Sequence, residues 1–375
     1  MSTEDLDKAP SAPMRGLRRL PWMVIAPVVA LFILAGTWGT KPGAAVLVIV
    51  GVVLAGAVTS AVHHAEVVAH RAGEPFGSLI LAVAVTVIEV GLIVTLMVSG
   101  GSETATLARD TVFAAVMITC NGIVGLTILI VALRRHTATF NAEGTASALA
   151  TVATLATLSL VLPRFTTSAP GPQFSGAQLA FAAVASVALY GLFVVVQTVR
   201  HRDYFLPSGR DASPDHDAHA ERPSRRHALA SLLFLVVALI AVVGLAKVES
   251  PAIEDAVGAI GAPPSAVGVV IALLVLAPET LAAVRNARRD RVQISLNLAF
   301  GSAMASIGLT IPAIAVASIW LKGPLVLGLG ATQIVLLAIT VVVGALTVLP
   351  GRATVQEGGV HLALLAAFLF LAINP

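Results

Sequence analysis

Glu89 lies in the middle of the apolar run 78–98, and Glu279 lies inside a second apolar run, 265–284. An ionised side chain at bilayer depth costs about 3 kcal/mol on insertion scales. Such a group normally faces a bundle interior or a cavity and marks an ion or proton route. Two of them in opposite halves of one chain point to a site built between the halves. Leaving water disfavours the charged form of a carboxyl, and a like charge nearby disfavours it further. Without a cation the pair should therefore capture protons, and with a divalent cation bound the protons should leave. Either loaded form is close to electroneutral and can cross the membrane interior. The empty, doubly charged form cannot do so cheaply. That mutual exclusion is the chemistry of an antiporter.

The surrounding residues suit this use. Glu74-Pro75 precedes the first glutamate run, and Pro278 directly precedes Glu279. Proline removes an amide donor and frees a carbonyl upstream. Freed carbonyls at membrane depth are tolerated only where they face protein or a cavity. Carboxylates with carbonyl, hydroxyl and amide oxygens make a hard cage, and calcium takes about 6–8 such oxygens. The candidate neutral ligands are Thr86, one turn before Glu89, with Asn121, Ser302 and Ser306. Glu74 is placed at the cytoplasmic mouth, where a proton relay and a solvated cap are equally good readings.

The rest of the chain must hold these groups in a membrane. It has 375 residues, 57% of them hydrophobic and 11% charged, with a mean hydropathy of +0.93. No soluble domain of this length has that composition. A span needs roughly 20 apolar residues. The pattern predicts eleven, over 22–38, 43–62, 78–98, 111–133, 145–163, 177–199, 228–247, 265–284, 292–320, 325–349 and 358–373. The first reads as a retained span rather than a signal peptide, because no A-x-A cleavage site follows it. With the N-terminus in the cytoplasm, eighteen of the 23 basic residues fall in inside segments. The positive-inside rule supports that orientation. The basicity, a sequence pI near 9.4, is then a topology signal and not a nucleic-acid one. The single cysteine, Cys120, excludes an intramolecular disulfide.

Residues 200–227 form the one long polar interruption and read as a mobile cytoplasmic linker. They divide the chain into 1–42, a tail and first helix; 43–199; and 228–375. The last two resemble each other internally. Arg109-Asp110-Thr111-Val112 opens a span that is broken eleven residues later at Asn121-Gly122. Arg289-Asp290-Arg291-Val292 opens one broken eleven residues later at Gly301-Ser302. Five spans per unit invert the second copy, which is a transporter architecture with its ion site near the midplane.

The motifs extend this reading. Gly73-Glu74-Pro75-Phe76-Gly77-Ser78-Leu79, running into Ala84–Val90, resembles the first signature of bacterial ChaA-type calcium/proton antiporters. Ala277-Pro278-Glu279-Thr280, followed by 300–312, resembles the second. These proteins belong to the cation/calcium exchanger superfamily. The resemblance covers most of the chain after the first span. It implies eleven helices with inverted five-helix repeats, and Glu89 and Glu279 binding cation and proton alternately. The wider superfamily's Gly-Asn-x-x-Glu pattern reads Val85–Glu89 here, and the second copy reads Leu274–Glu279. Both lack the family's amide ligands, so sodium and potassium stand beside calcium as substrates.

Other groups have plainer readings. His63, His64, Glu66 and His70 follow the second span, with His63 and His70 on one helix face. A metal site or pH sensor is one reading, and an interfacial polar collar is the better one. Asp211, Asp215, His216, Asp217, His219 and Glu221 lack EF-hand spacing and read as solvated linker. The clusters at 134–135 and 285–291 set topology first and contact anionic lipid second. Thr86 could instead bond the carbonyl one turn back, and Ser302 and Ser306 could serve helix packing.

The sequence therefore describes an all-α polytopic protein of the bacterial cytoplasmic membrane, with about eleven transmembrane helices: an N-terminal helix plus two inverted five-helix repeats. It is no enzyme, requires no cofactor, and exchanges cytoplasmic calcium, or sodium or potassium, for external protons. A membrane metal hydrolase built on the histidines lacks an H-E-x-x-H motif. A passive channel would more often build its filter from an oligomeric ring.

Overall fold

The structure is a computed structural model that describes residues 21–73, 76–100, 104–206, 223–259, 261–320 and 323–375. Among these residues eleven helices follow one another. They are α1 (Pro21–Thr37), α2 (Ala44–Ala72), α3 (Phe76–Gly100), α4 (Leu107–Arg135), α5 (Ala142–Arg164), α6 (Gly176–Arg200), α7 (Arg225–Ala259), α8 (Ser265–Arg288), α9 (Val292–Ala317), α10 (Ala331–Val348) and α11 (Val355–Ile373). Among the described residues, ten are long and apolar enough to cross a membrane. The seventeen residues of α1 span about 25 Å at the helical rise, short of the roughly 30 Å hydrocarbon layer.

Contacts between the connections sort them to two ends, as alternating spans require. At one end the strand β1 (Ala138–Thr139) pairs antiparallel with β2 (Arg352–Ala353). At the other, Gly328 N donates to the Pro172 carbonyl and Leu329 N to the Leu160 carbonyl, both at 2.9 Å. The two Arg-Asp motifs mark opposite ends of α4. Arg109 pairs with Asp110 at 2.7 Å near its start. Arg135 reaches Asp290, in the α8–α9 turn, at 2.8 Å near its finish.

Two apolar cores fill the molecule. One joins α4, α5, α6, α9, α10 and α11. The other joins α1, α2 and α7. Helices α3 and α8 lie between and contribute to both: Ile88 and Leu92 face one core and Ile93 the other, and Ile271 and Val275 face one while Ala272 and Leu276 face the other. The glutamate helices therefore run along the seam. The packing there is close. A Cβ on Gly268 of α8 would lie 2.8 Å from the Thr111 amide nitrogen of α4, so α8 can approach α4 only through glycine. Gly268→Ala is expected to cost about 1–3 kcal/mol through overpacking. Thermal unfolding in detergent measures it, and an unchanged midpoint would contradict the contact.

Four expectations change. Helices α2 and α7 outrun their apolar stretches, so His63, His64, Glu66 and His70 lie within α2 and not after it. Pro278 does not interrupt α8: it withdraws the amide that the Leu274 carbonyl would ordinarily accept while the helix runs on. Gly301-Ser302 leaves α9 unbroken, whereas Asn121-Gly122 sits in a π turn, Ile118–Ile123. Of the linker, residues 207–222 lie outside the described residues, and with them the acidic and histidine positions from Asp211 to Glu221. Its start is docked: Phe205 is buried, and its carbonyl accepts from Asn297 Nδ2 at 2.6 Å.

Candidate cation and proton site

Glu89 projects from the middle of α3 into the seam and is 3% exposed. Two hydroxyls of α9, one helical turn apart and so on one face, hold it. Ser306 Oγ donates to Oε1 at 2.6 Å and Thr310 Oγ1 donates to Oε2 at 3.0 Å. Each carboxylate oxygen thus has a donor from the other half of the chain. Ser306 is legible in the sequence as a candidate. Thr310 is not among the sequence candidates, although its i+4 spacing from Ser306 is the signal that finds it.

Glu279 sits in α8, one residue past Pro278, and is 8% exposed. It lies within electrostatic range of both Glu89 and Glu66. Its Oε2 is buried and has no hydrogen-bond partner among the described residues. A buried carboxylate oxygen without a donor is costly. Such an oxygen is set to take up a proton or to ligate a cation.

The space beside Glu89 is small. A cavity of about 10 Å³ is lined by Glu89, Thr86, Ser302 and Ser306, with apolar walls from Ala115 of α4 and Val275 of α8. That is room for roughly one water. Thr86, Ser302 and Ser306 thus lie around the first glutamate. A hydroxyl that donates to a carboxylate keeps lone pairs that can ligate a cation. The oxygens lining this cavity, from the Glu89 carboxylate and three hydroxyls, are of the hard type that calcium takes, and Glu279 is not among the lining residues.

Asn121 does not join them. Its amide nitrogen donates to Thr340 Oγ1 at 3.0 Å, and its oxygen meets His361 Nδ1 at 3.2 Å. The π turn carries it toward α10 and α11 instead. Glu74 lies outside the described residues. In α2, His64 is buried, meets the Met23 carbonyl through Nε2 at 3.1 Å and stacks on Phe234. This is the structural reading of that histidine. Among the described residues no three metal-binding side chains converge. Glu66, on the same helix, lies in electrostatic range of Arg285, six residues beyond Glu279 on α8.

Comparison with known proteins shows what the chain as a whole is similar to. The model of the sodium/calcium exchanger protein family matches residues 42–199 and 230–374. The putative ionic transporter y4hA of Sinorhizobium fredii is 45% identical over 322 residues, covering 86% of this chain and 87% of its own length. The sodium-potassium/proton antiporter ChaA of Escherichia coli is 36% identical over 350 residues, covering 92% and 94%. Among solved structures, the H+/Ca2+ exchanger CAX matches with a TM-score of 0.70 at 16% identity, over 93% of this chain and 86% of that one. Native YfkE matches with a TM-score of 0.69 at 15% identity, over 95% and 99%. These two likenesses concern the fold.

Proposed function

This chain belongs to the sodium/calcium exchanger protein family, a family of membrane antiporters, and from that premise we propose that it exchanges cytoplasmic calcium for external protons at Glu89 and Glu279. The observation that carries the reading is the pair itself: two buried carboxylates from opposite halves within electrostatic range, one satisfied by hydroxyls and one with a bare oxygen. Two negative charges are neutralised by one divalent cation or by two protons, so calcium matches the pair's charge in full. A monovalent ion would leave one charge over, to be met by a proton or by Ser306 and Thr310.

In this reading residues 43–199 and 228–375 are two inverted units, and the boundaries of the family match support that division. The chain sits in the cytoplasmic membrane with its N-terminus inside, as its distribution of basic residues supports. Because the two apolar cores meet at α3 and α8, movement of the α1–α2–α7 body across those helices opens the pair to one side and then the other. The site crosses in a neutral form and resists crossing while doubly charged.

Sodium or potassium exchange on the same scaffold is the second reading. The E. coli relative named for those ions favours it, as does the lack of amide ligands beside both glutamates. Everted vesicles containing the protein decide between the two. Calcium added at acid interior pH should release protons in a saturable way, with little response to sodium or potassium. A sodium or potassium response without calcium would replace the substrate. Release by none of the three would overturn antiport.

A further inference from the structure

Glu89 has its hydroxyl partners in α9, but the Oε2 of Glu279 has none among the described residues. The internal repeat says where one belongs. Ser306 lies sixteen residues past Asp290, and sixteen past Asp110 is Leu126, which has no donor. Helix α4, however, contains the π turn Ile118–Ile123, which accommodates one extra residue in the helix. The counterpart of Ser306 then shifts to Thr127. Helix α4 packs against α8 as α9 packs against α3.

Thr127 differs from most of the helix threonines and shares its state with Thr111. Thr119, Thr145 and Thr280 each donate to the carbonyl four residues back, at 2.7–2.8 Å. Thr127 is fully buried, yet its hydroxyl has no partner among the described residues. A buried hydroxyl and a buried carboxylate oxygen, each unsatisfied, thus lie on two packed helices at repeat-related positions. The π turn that sets this phase is itself held from outside. Asn121 donates to Thr340 and accepts at Oδ1 from His361 Nδ1, which places the ring proton on Nδ1. The Nε2 of His361 then accepts from Thr347 Oγ1 at 3.2 Å. The ring also reaches the Cys120 carbonyl inside the turn. All four side chains are at most 2% exposed. Gly125 lets α11 close on this point, since a Cβ there would lie 3.0 Å from the His361 Cβ.

We propose that the buried network of His361, Asn121, Thr340 and Thr347 fixes the π turn of α4 and thereby positions the Thr127 hydroxyl to serve Glu279 as Ser306 serves Glu89. Resting as it does on the antiport reading, this makes Thr127 a binding residue and His361 and Asn121 positioning residues. Cation-dependent proton release in vesicles tests it. Thr127→Val, nearly isosteric, should raise the half-saturating cation concentration about tenfold, as loss of a hydrogen bond to a charged group does, with the maximal rate kept. Thr111→Val, which removes another buried, unpartnered hydroxyl about four turns away, should change nothing. His361→Leu should match Thr127→Val, and adding Thr127→Val to it should have no further effect; His361→Gln, which can donate and accept, should restore most of the affinity. A Thr127→Val protein with wild-type affinity, in vesicles where Glu279→Gln is dead, would overturn the proposal. Additive effects of the two substitutions would overturn the positioning role. If His361→Leu does not survive size-exclusion chromatography, the Thr127 and His361→Gln comparisons still decide. A wild-type protein that exchanges nothing would sink the antiport reading, and this inference with it.

Discussion

Glu89→Gln and Glu279→Gln are each expected to lower cation-driven proton release by at least about a hundredfold. The size follows from charge. Two opposite unit charges about 4 Å apart are worth about 4 kcal/mol at an effective dielectric constant near 20, and a factor of ten needs about 1.4 kcal/mol. Glutamine keeps the shape and removes the charge, so the loss reports electrostatics more than packing. The two substitutions should differ in a telling way. In Glu89→Gln the new side chain still faces Ser306 and Thr310, and its amide nitrogen forces one of those hydroxyls to turn and accept. In Glu279→Gln an unpartnered group stands where Glu279 already has one. Glu89→Gln should therefore also shift the thermal midpoint, while Glu279→Gln should leave it nearly unchanged. Exchange at the normal rate in both variants would make the glutamates structural.

The membrane-spanning architecture is legible because a bilayer demands long apolar runs, and these are a one-dimensional signal. What the runs do not mark is where helices end. Hydropathy falls where Glu66 and His70 begin, but α2 continues until Gly73, whose φ of 73° closes it, as glycine does at many helix ends. Likewise α7 carries on for 35 residues through Pro251, because a polar segment in the interface keeps its helical bonds. The glutamates are legible because their burial is expensive anywhere in such a run. Ser302 and Ser306 follow from their spacing. Asn121 is misplaced by the sequence, which shows a buried amide but not the extra residue in the π turn that rotates it toward Thr340 and His361. His361 itself is invisible there: one histidine in a C-terminal apolar helix has no local pattern. Its meaning comes from three helices meeting.

Acidity at the cation-loading face is expected to raise the half-saturating calcium concentration steeply. If both carboxylates must give up protons before calcium binds, mass action makes the rise about a hundredfold per pH unit on the acid side, against about tenfold if only one proton is displaced. The sign is fixed by mutual exclusion: protons and cation compete for the same oxygens. Calcium-dependent uptake measured across a range of pH in vesicles gives the slope. The arrangement favours two, because Glu279 has an oxygen without a donor while Glu89 keeps two hydroxyls that can turn to suit either form. A slope of zero would mean that proton and calcium do not share the pair. A slope of two carries its own check. One calcium against two protons moves no net charge, so the same vesicles clamped at different membrane potentials should show the same equilibrium calcium gradient. A third proton would instead couple the gradient to voltage, at about 2.3 kcal/mol per 100 mV. It would also require a titrating group beyond the pair. Glu66, in electrostatic range of both Glu279 and Arg285, is the carboxylate the fold offers for that role.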